Sequence, residues 1–205
     1  MGWWKETIDI VKKNDPAARS SLEIILTYPG VKALAAHRIS HFLWKHGLKL
    51  LARMHSQFWR FWTQIEIHPG AEIAEGVFID HGSGLVIGET AIVEKGVMLY
   101  HGVTLGGTGK DVGKRHPTVR EGALVSAHAQ VIGPIEIGKN SKVGAAAVVV
   151  EGAEAGGHLG TNRSSRVIVP EVRAAVDIPV IGAGGILRQR GESQEYSADC
   201  HYKDE

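Results

Sequence analysis

Histidine is the side chain whose acid–base chemistry falls nearest neutral pH, and this chain has eleven of them. Three stand beside groups that could use or steer a proton. His81 follows Asp80 in the run Ile79-Asp80-His81-Gly82-Ser83-Gly84. His116 follows Arg115 and precedes Pro117, and Glu66 opens Glu66-Ile67-His68-Pro69-Gly70. An imidazole can act as a general base, and a nearby carboxylate can orient it and stabilise its cation. A guanidinium can grip a carboxylate through two parallel hydrogen bonds. On residue type alone, His81 fits a turn histidine bonded to a carbonyl as well as it fits a base.

Such groups need a scaffold, and the hydrophobic pattern supplies one. Residues 3 to 63 read as helices. Leu51, Met54, Phe58, Phe61 and Ile65 recur at three- and four-residue steps, as do Val31, Leu34, Ala35, Ile39, Phe42 and Leu43. Pro29-Gly30 separates an earlier short helix around residues 21–26, and Gly47 suits a helix C-terminus. The Trp and Phe residues of this region read as core packing.

From Ile67 the period becomes six: Ile67, Ile73, Ile79, Leu85, Ala91, Val97, Val103, then Val119, Val125, Val131, Ile137, Val143, Val149. The interruption after Val103 is one hexad plus ten residues. A six-residue period fits a coil of three short parallel strands joined by tight turns, one inward aliphatic per strand. Such coils stack at about 4.8 Å and bury their aliphatics against one another. The expected layout is a helical region at 1–64, a parallel β-helix at 65–150 with an excursion at 106–116, and an atypical tail at 151–205. From Arg188 the tail is polar and reads as disordered.

Composition closes off several classes. The net charge of +1 points to neither nucleic acid nor an anionic membrane. No run of 18 apolar residues suggests a spanning helix, and the first fifteen residues lack a signal-peptide core. Met1-Gly2 is not followed by the Ser or Thr that myristoylation needs, since Glu6 stands there. The one cysteine, Cys200, allows no internal disulfide, so a cytoplasmic setting is expected. Gly106 to Lys110 is not a phosphate-binding loop, because Asp111 follows the lysine.

The segments Glu66-Ile67-His68-Pro69, Asp80-His81, Gly88-Glu89-Thr90-Ala91, Val103-Thr104-Leu105-Gly106-Gly107-Thr108-Gly109-Lys110 and Arg115-His116-Pro117 together closely resemble the serine acetyltransferase family of hexapeptide-repeat acyltransferases. The resemblance runs from Asp15 to Val149. It implies a left-handed β-helix, although the general rule for parallel crossovers is right-handed. It also implies acetyl transfer from acetyl-CoA to the L-serine hydroxyl in cysteine biosynthesis, with no metal and no cofactor beyond that co-substrate.

By the same resemblance His81 and Glu66 are the catalytic pair, where many relatives have Asp in place of Glu66. Asp15 and Asp80 receive the serine ammonium, and Arg115 and His116 its carboxylate. Gly107 and Ala127 contact CoA through the backbone, although Ser126-Ala127-His128-Ala129 stands where relatives are glycine-rich. Asp15-Pro16 has a second reading, as the cap of a following helix. The implied assembly is a homotrimer or hexamer with active sites between neighbours. Rival readings are an acyltransferase for another acceptor, a zinc hydratase of the same architecture using His81, His101 and His116, and a scaffold impaired by its altered tail.

After Val149 the pattern changes. Residues 147–187, with Glu154-Ala155-Gly156-Gly157-His158 and Gly182-Ala183-Gly184-Gly185, resemble a fragment of flavin-dependent nitronate monooxygenase. Those enzymes need a whole (β/α)8 barrel of about 250 residues, so no flavin site is expected and His158 reads as a bystander. The tail reads as a fusion or frame-related replacement of the family's usual C-terminus, with a local strand–helix–strand unit over 167–181 as the alternative. The family's tail ends in an isoleucine that enters O-acetylserine sulfhydrylase. This chain ends Lys203-Asp204-Glu205, so no stable complex with that enzyme is expected.

Overall fold

A computed structural model describes residues 2–107 and 112–145, and the backbone of two strands at 148–151 and 180–183. Four helices come first: α1 (Trp3–Asn14), α2 (Ser21–Thr27), α3 (Pro29–Lys45) and α4 (Lys49–Thr63). The Ser20 hydroxyl caps α2 by accepting from Glu23 N at 3.1 Å. Pro29 occupies the first turn of α3, where its missing N–H costs nothing. After α3 the chain turns through Gly47 at φ 82°, a left-handed conformation that glycine adopts without strain.

Among the described residues fourteen short strands follow: β1 (Glu66–Ile67), β2 (Glu72–Ile73), β3 (Phe78–Ile79), β4 (Val86–Ile87), β5 (Ile92–Val93), β6 (Met98–Leu99), β7 (Thr104–Gly106), β8 (Thr118–Val119), β9 (Leu124–Val125), β10 (Gln130–Ile132), β11 (Glu136–Ile137), β12 (Lys142–Val143), β13 (Val148–Glu151) and β14 (Val180–Ala183). All pair in parallel into three sheets, in the orders β1-β4-β7-β10-β13-β14, β2-β5-β8-β11 and β3-β6-β9-β12. From β1 to β10 each strand therefore pairs with the third strand after it, one full coil away, and three sheets enclose a prism. β14 extends the first sheet beside β13; the rest of the alternative strand–helix–strand unit lies outside the described residues.

The register corrects the reading of the hexads. Glu66 pairs with Val86, Val86 with Thr104, Thr104 with Gln130 and Gln130 with Val148. The coil steps are thus 20, 18, 26 and 18 residues. Of the ten extra residues, two lie at Asp80–Gly84 and eight between β7 and β8. The cause is that each hexad buries two positions, not one. Ile65 and Ile67, Ala71 and Ile73, Val77 and Ile79, Leu85 and Ile87 are successive pairs, the first at the turn and the second on the strand. Stepping by six from Ile79 passes to the turn position at Leu85 without a visible break. Both kinds of position are dry: Leu85, Ile87, Ala91, Val97, Leu99, Val103 and Leu105 are fully buried.

α1, α2 and α3 pack around β3, while α4 lies against β1 of the six-stranded sheet. Phe78 is buried with Val11 of α1, Ile24 of α2 and Val31 of α3. Gly30 lets α3 approach closely, since a Cβ there would stand 2.4 Å from the Ile79 carbonyl oxygen. His37 of α3, buried, contacts the Ala71 carbonyl through Nε2 at 3.2 Å. α4 overturns the core reading of its aromatics. Its buried residues are the small Ala52, Ser56 and Thr63. Leu51, Met54, Phe58, Phe61 and Trp62 face outward, as do Ile39 and Phe42 of α3. The helical period was correct, but the wide apolar stripe is turned away from the prism.

Candidate active site

The prism has two corners at the ends of its six-stranded sheet, and each carries a cluster. The first corner holds the turns before β4, β7 and β10. Here Asp80 leads into His81, which sits in the left-handed region at φ 59°, a conformation that costs energy for any residue with a Cβ. Gly82 follows at φ 68°, and a Cβ on it would strike Ile65 and Ile79 at 2.5 and 2.7 Å. The two residues inserted into this coil thus push the exposed His81 ring out of the corner. Its Nε2 lies 3.8 Å from Asp80 Oδ1. The rings of His81, His101 and His128 form an edge-to-face column with centroid separations of 6.3 and 5.0 Å.

Asp15 joins this corner from the helices. It caps the C-terminus of α1, so its reading as the cap of a following helix is corrected: Ser20 holds that post. Its carboxylate accepts from Tyr28 Oη at 2.5 Å and Ala17 N at 2.8 Å. Those bonds, with a smaller attraction from His81, hold the Asp15 carboxyl below its usual range. The same bond pushes the Tyr28 phenol up to about 12, with burial and the Asp80 charge adding to it. Asp15, Tyr28, Asp80 and His81 therefore share one electrostatic neighbourhood suited to a cation.

Glu66 does not join His81. Its carboxylate pairs with Arg60 Nε of α4 at 3.0 Å, and among the described residues no hydrogen bond links it to the imidazole. The fifteen-residue spacing puts Glu66 one layer below, but its side chain follows the guanidinium. An open cleft lined by Gln57, Arg60, Phe61, Gln64, Ser83 and Gly84 lies beside this pair.

The second corner, before β2, β5 and β8, carries Arg115 and His116. Arg115 Nη2 donates to Glu89 Oε2 at 2.6 Å. His116 is buried, and its Nδ1 accepts from Thr90 N at 3.2 Å. Thr90 Oγ1 also accepts from Arg115 N and His116 N, at 3.0 and 3.1 Å. Burial first, and then the Arg115 charge, hold the His116 imidazole below its ordinary pKa. Lys114 Nζ donates to the Thr90 carbonyl at 2.6 Å and closes the end of the excursion. The arrangement is built to present a cation and a neutral ring to an anion.

The expected site residues are therefore divided. Asp15, Asp80, His81 and Ala127 stand at the first corner, Arg115, His116 and Gly107 at the second, and Glu66 on β1 between them. Within one protomer His116 stands on the other corner from His81 and His101, so the three histidines of the zinc reading do not meet in a single chain. Among the described residues no group of three or more His, Cys, Asp and Glu side chains has metal-binding spacing. Residues 108–111 of the excursion and His158, with the rest of the fragment-like tail apart from β13 and β14, lie outside the described residues. Tyr28, Glu89, Thr90 and Arg60 were given no role by sequence; only the Gly88-Glu89-Thr90-Ala91 motif hinted at the middle two.

A nitronate monooxygenase family model matches residues 93–193, just under half of the chain. Within that range the described residues up to 145 form coils β5 to β12 with no intervening helix, which is not how a (β/α)8 barrel is built. The serine acetyltransferase of Bacillus licheniformis is 47% identical over 188 residues, covering 92% of this chain and 78% of the relative. A crystal structure of Brucella abortus serine acetyltransferase in complex with coenzyme A superposes with a TM-score of 0.70 at 42% identity, covering 72% of this chain and 59% of that one. The Neisseria gonorrhoeae serine acetyltransferase in complex with serine gives 0.69 at 37% identity, covering 72% and 60%. The chain thus spans about three-fifths of the solved chains. Coverage of the Bacillus relative, the prism and the motifs at both corners agree: the chain belongs to the serine acetyltransferase family.

Proposed function

We propose that this protein transfers an acetyl group from acetyl-CoA to the hydroxyl of L-serine. The observation that carries the reading is the pair of complementary clusters: an anionic one with an outward imidazole, and a cationic one held by Glu89 and Thr90. Serine in its zwitterionic form needs both signs. The ammonium goes to Asp15 and Asp80, the carboxylate to Arg115 and His116, and His81 takes the hydroxyl proton as the oxygen attacks the thioester carbonyl; the C–S bond then breaks and the departing CoA thiolate takes that proton back from His81. Glu66 stabilises the resulting imidazolium once its carboxylate turns from Arg60. Acetyl-CoA lies along the prism against the backbone of Gly107 and Ala127. Relatives solved with coenzyme A and with serine support both ligands.

The clusters sit at opposite ends of one sheet, so the site is completed between neighbours of a homotrimer, the first corner of one prism facing the second corner of the next. The coil is left-handed, as the resemblance implies. We read the chain as a helical region (1–64), a β-helix (65–150) and a tail (151–205). The outward apolar stripe of α4 supports further association through the helices, trimer to hexamer. The tail, which departs from the family after Val149, weakens acetyl-CoA binding. The decisive experiment is thiol release from acetyl-CoA with and without L-serine, with maltose and chloramphenicol as control acceptors. Release that does not depend on serine would overturn the reading.

A further inference from the structure

The knot around Thr90 determines which nitrogen of His116 carries the proton. A backbone N–H can only donate, and Thr90 N points at His116 Nδ1 across 3.2 Å. Nδ1 must then be the bare acceptor, and the single proton of the neutral ring resides on Nε2. The Thr90 hydroxyl completes the arrangement. Its oxygen already accepts two backbone N–H groups, from Arg115 and His116. Its own proton therefore goes to the same Nδ1, 2.9 Å away.

The ring has little room to turn over. It slides between two glycines: a Cβ on Gly88 would stand 1.9 Å from Cδ2, and one on Gly107 would stand 3.2 Å from Nε2. Around it lie Arg115, Lys114 and Glu89, and the two cations outweigh the carboxylate in opposing a second proton. Nε2 lies between the same two glycines, 2.1 Å from a Cβ on Gly88 and 3.2 Å from one on Gly107, and Arg115 lines the Gly107 side of the corner.

We propose that Thr90 is the positioning residue that fixes His116 as its Nε2–H tautomer, so that the ring offers the substrate carboxylate a hydrogen-bond donor and leaves base chemistry to His81. The inference rests on the acetyl-transfer reading for the identity of the carboxylate, but not for the tautomer. The roles of the two histidines then differ by construction: one is exposed on a left-handed corner and free to take a proton, the other is buried with its only lone pair occupied.

Two measurements test it. Two-bond proton–nitrogen correlation spectra of the full-length protein labelled with 15N-histidine, at pH 7.5, should show His116 as neutral Nε2–H, assigned by comparison with His116→Gln. An Nδ1–H ring or an imidazolium would overturn the proposal, whether or not serine proves to be the acceptor. In steady-state thiol release, Thr90→Val should raise the KM for serine roughly 10- to 100-fold, the size of a lost hydrogen bond to a charged group. The KM for acetyl-CoA should move less than about threefold, and Thr90→Ser should restore the parent's serine KM. An unchanged serine KM in Thr90→Val, or no recovery of that KM in Thr90→Ser, would also overturn it. Should Thr90→Val fail to fold, the spectrum of the parent still decides.

Discussion

Tyr28 donates its phenolic hydrogen to Asp15 across 2.5 Å, tying the start of α3 to the end of α1 beside His81. The bond keeps the Asp15 carboxylate ionised and aimed at the corner. Tyr28→Phe removes it without changing shape. The expected result is a rise of roughly threefold to tenfold in the KM for serine with little change in kcat, the cost of one hydrogen bond. Equal losses in both constants would show that Tyr28 does something other than orient a binding carboxylate.

Exposure and the left-handed backbone leave the His81 ring free to meet a reactant. Replacing it by alanine is expected to lower kcat by roughly 10²–10⁴-fold, the usual worth of a general base. Thermal unfolding should stay within a degree or two, since the side chain packs on little besides His101. Undiminished turnover would remove His81 from the mechanism.

Arg115 and His81 belong to different corners, and this makes a test by mixing. Arg115→Ala should raise the KM for serine, and His81→Ala should abolish most turnover. In the proposed trimer, refolding the two impaired proteins together should return activity at low serine concentration, because some interfaces then combine two intact corners. A mixture no more active than its parts would place the site within a single protomer.

Gly30 marks the closest approach of helix to prism. A methyl group there would meet Ile79 O at 2.4 Å and Ile79 Cβ at 2.8 Å. Gly30→Ala should therefore lift α3 and cost about 1–3 kcal/mol, as overpacking of a tight contact generally does. The check is the denaturant midpoint at fixed protein concentration. An unshifted midpoint would mean that α3 adjusts at no cost.

Acid should loosen the same contact. Burial pushes His37 down to about 3 and His68, also near the Arg53 charge, down to about 4. Both rings are neutral in the folded protein above those values, while the unfolded chain takes up protons below about pH 6.5. Stability is fully present above pH 6.5 and falls as pH drops toward 4, by up to about 1.4 kcal/mol per pH unit for each ring. His37→Gln should flatten that slope in urea titrations at pH 7.5, 6 and 5. Parallel losses in parent and variant would exclude His37 as the cause.

The architecture was legible because its signal is periodic. Ile67, Ile73 and Ile79 announce the hexad, and the helical stripes announce α3 and α4. The register was not, because Leu85 and Ile87 are both buried aliphatics and the sequence does not say which one begins the strand. The direction of the α4 stripe was also hidden: Phe58 and Phe61 read as core, and only the small Ala52 and Ser56 reveal which face docks. At the site, residue types pointed to His81, Asp80, Arg115 and His116. The Thr90 contacts were invisible because partners 25 and 26 residues away meet only once the excursion has closed. The Arg60 partner of Glu66 was equally hidden, because spacing places a residue on a layer but does not say which charge its side chain meets.

The double rung of each hexad has a consequence for how such a protein can change. Two of every six positions look inward and hold the stack together; the rest form faces and corners that folding hardly constrains. His81, Glu66, Arg115 and Ala127 all occupy that second set, and both insertions sit at turns. Lineages can therefore redraw the reactive surface, or lengthen a corner loop, while the aliphatic spine is inherited untouched.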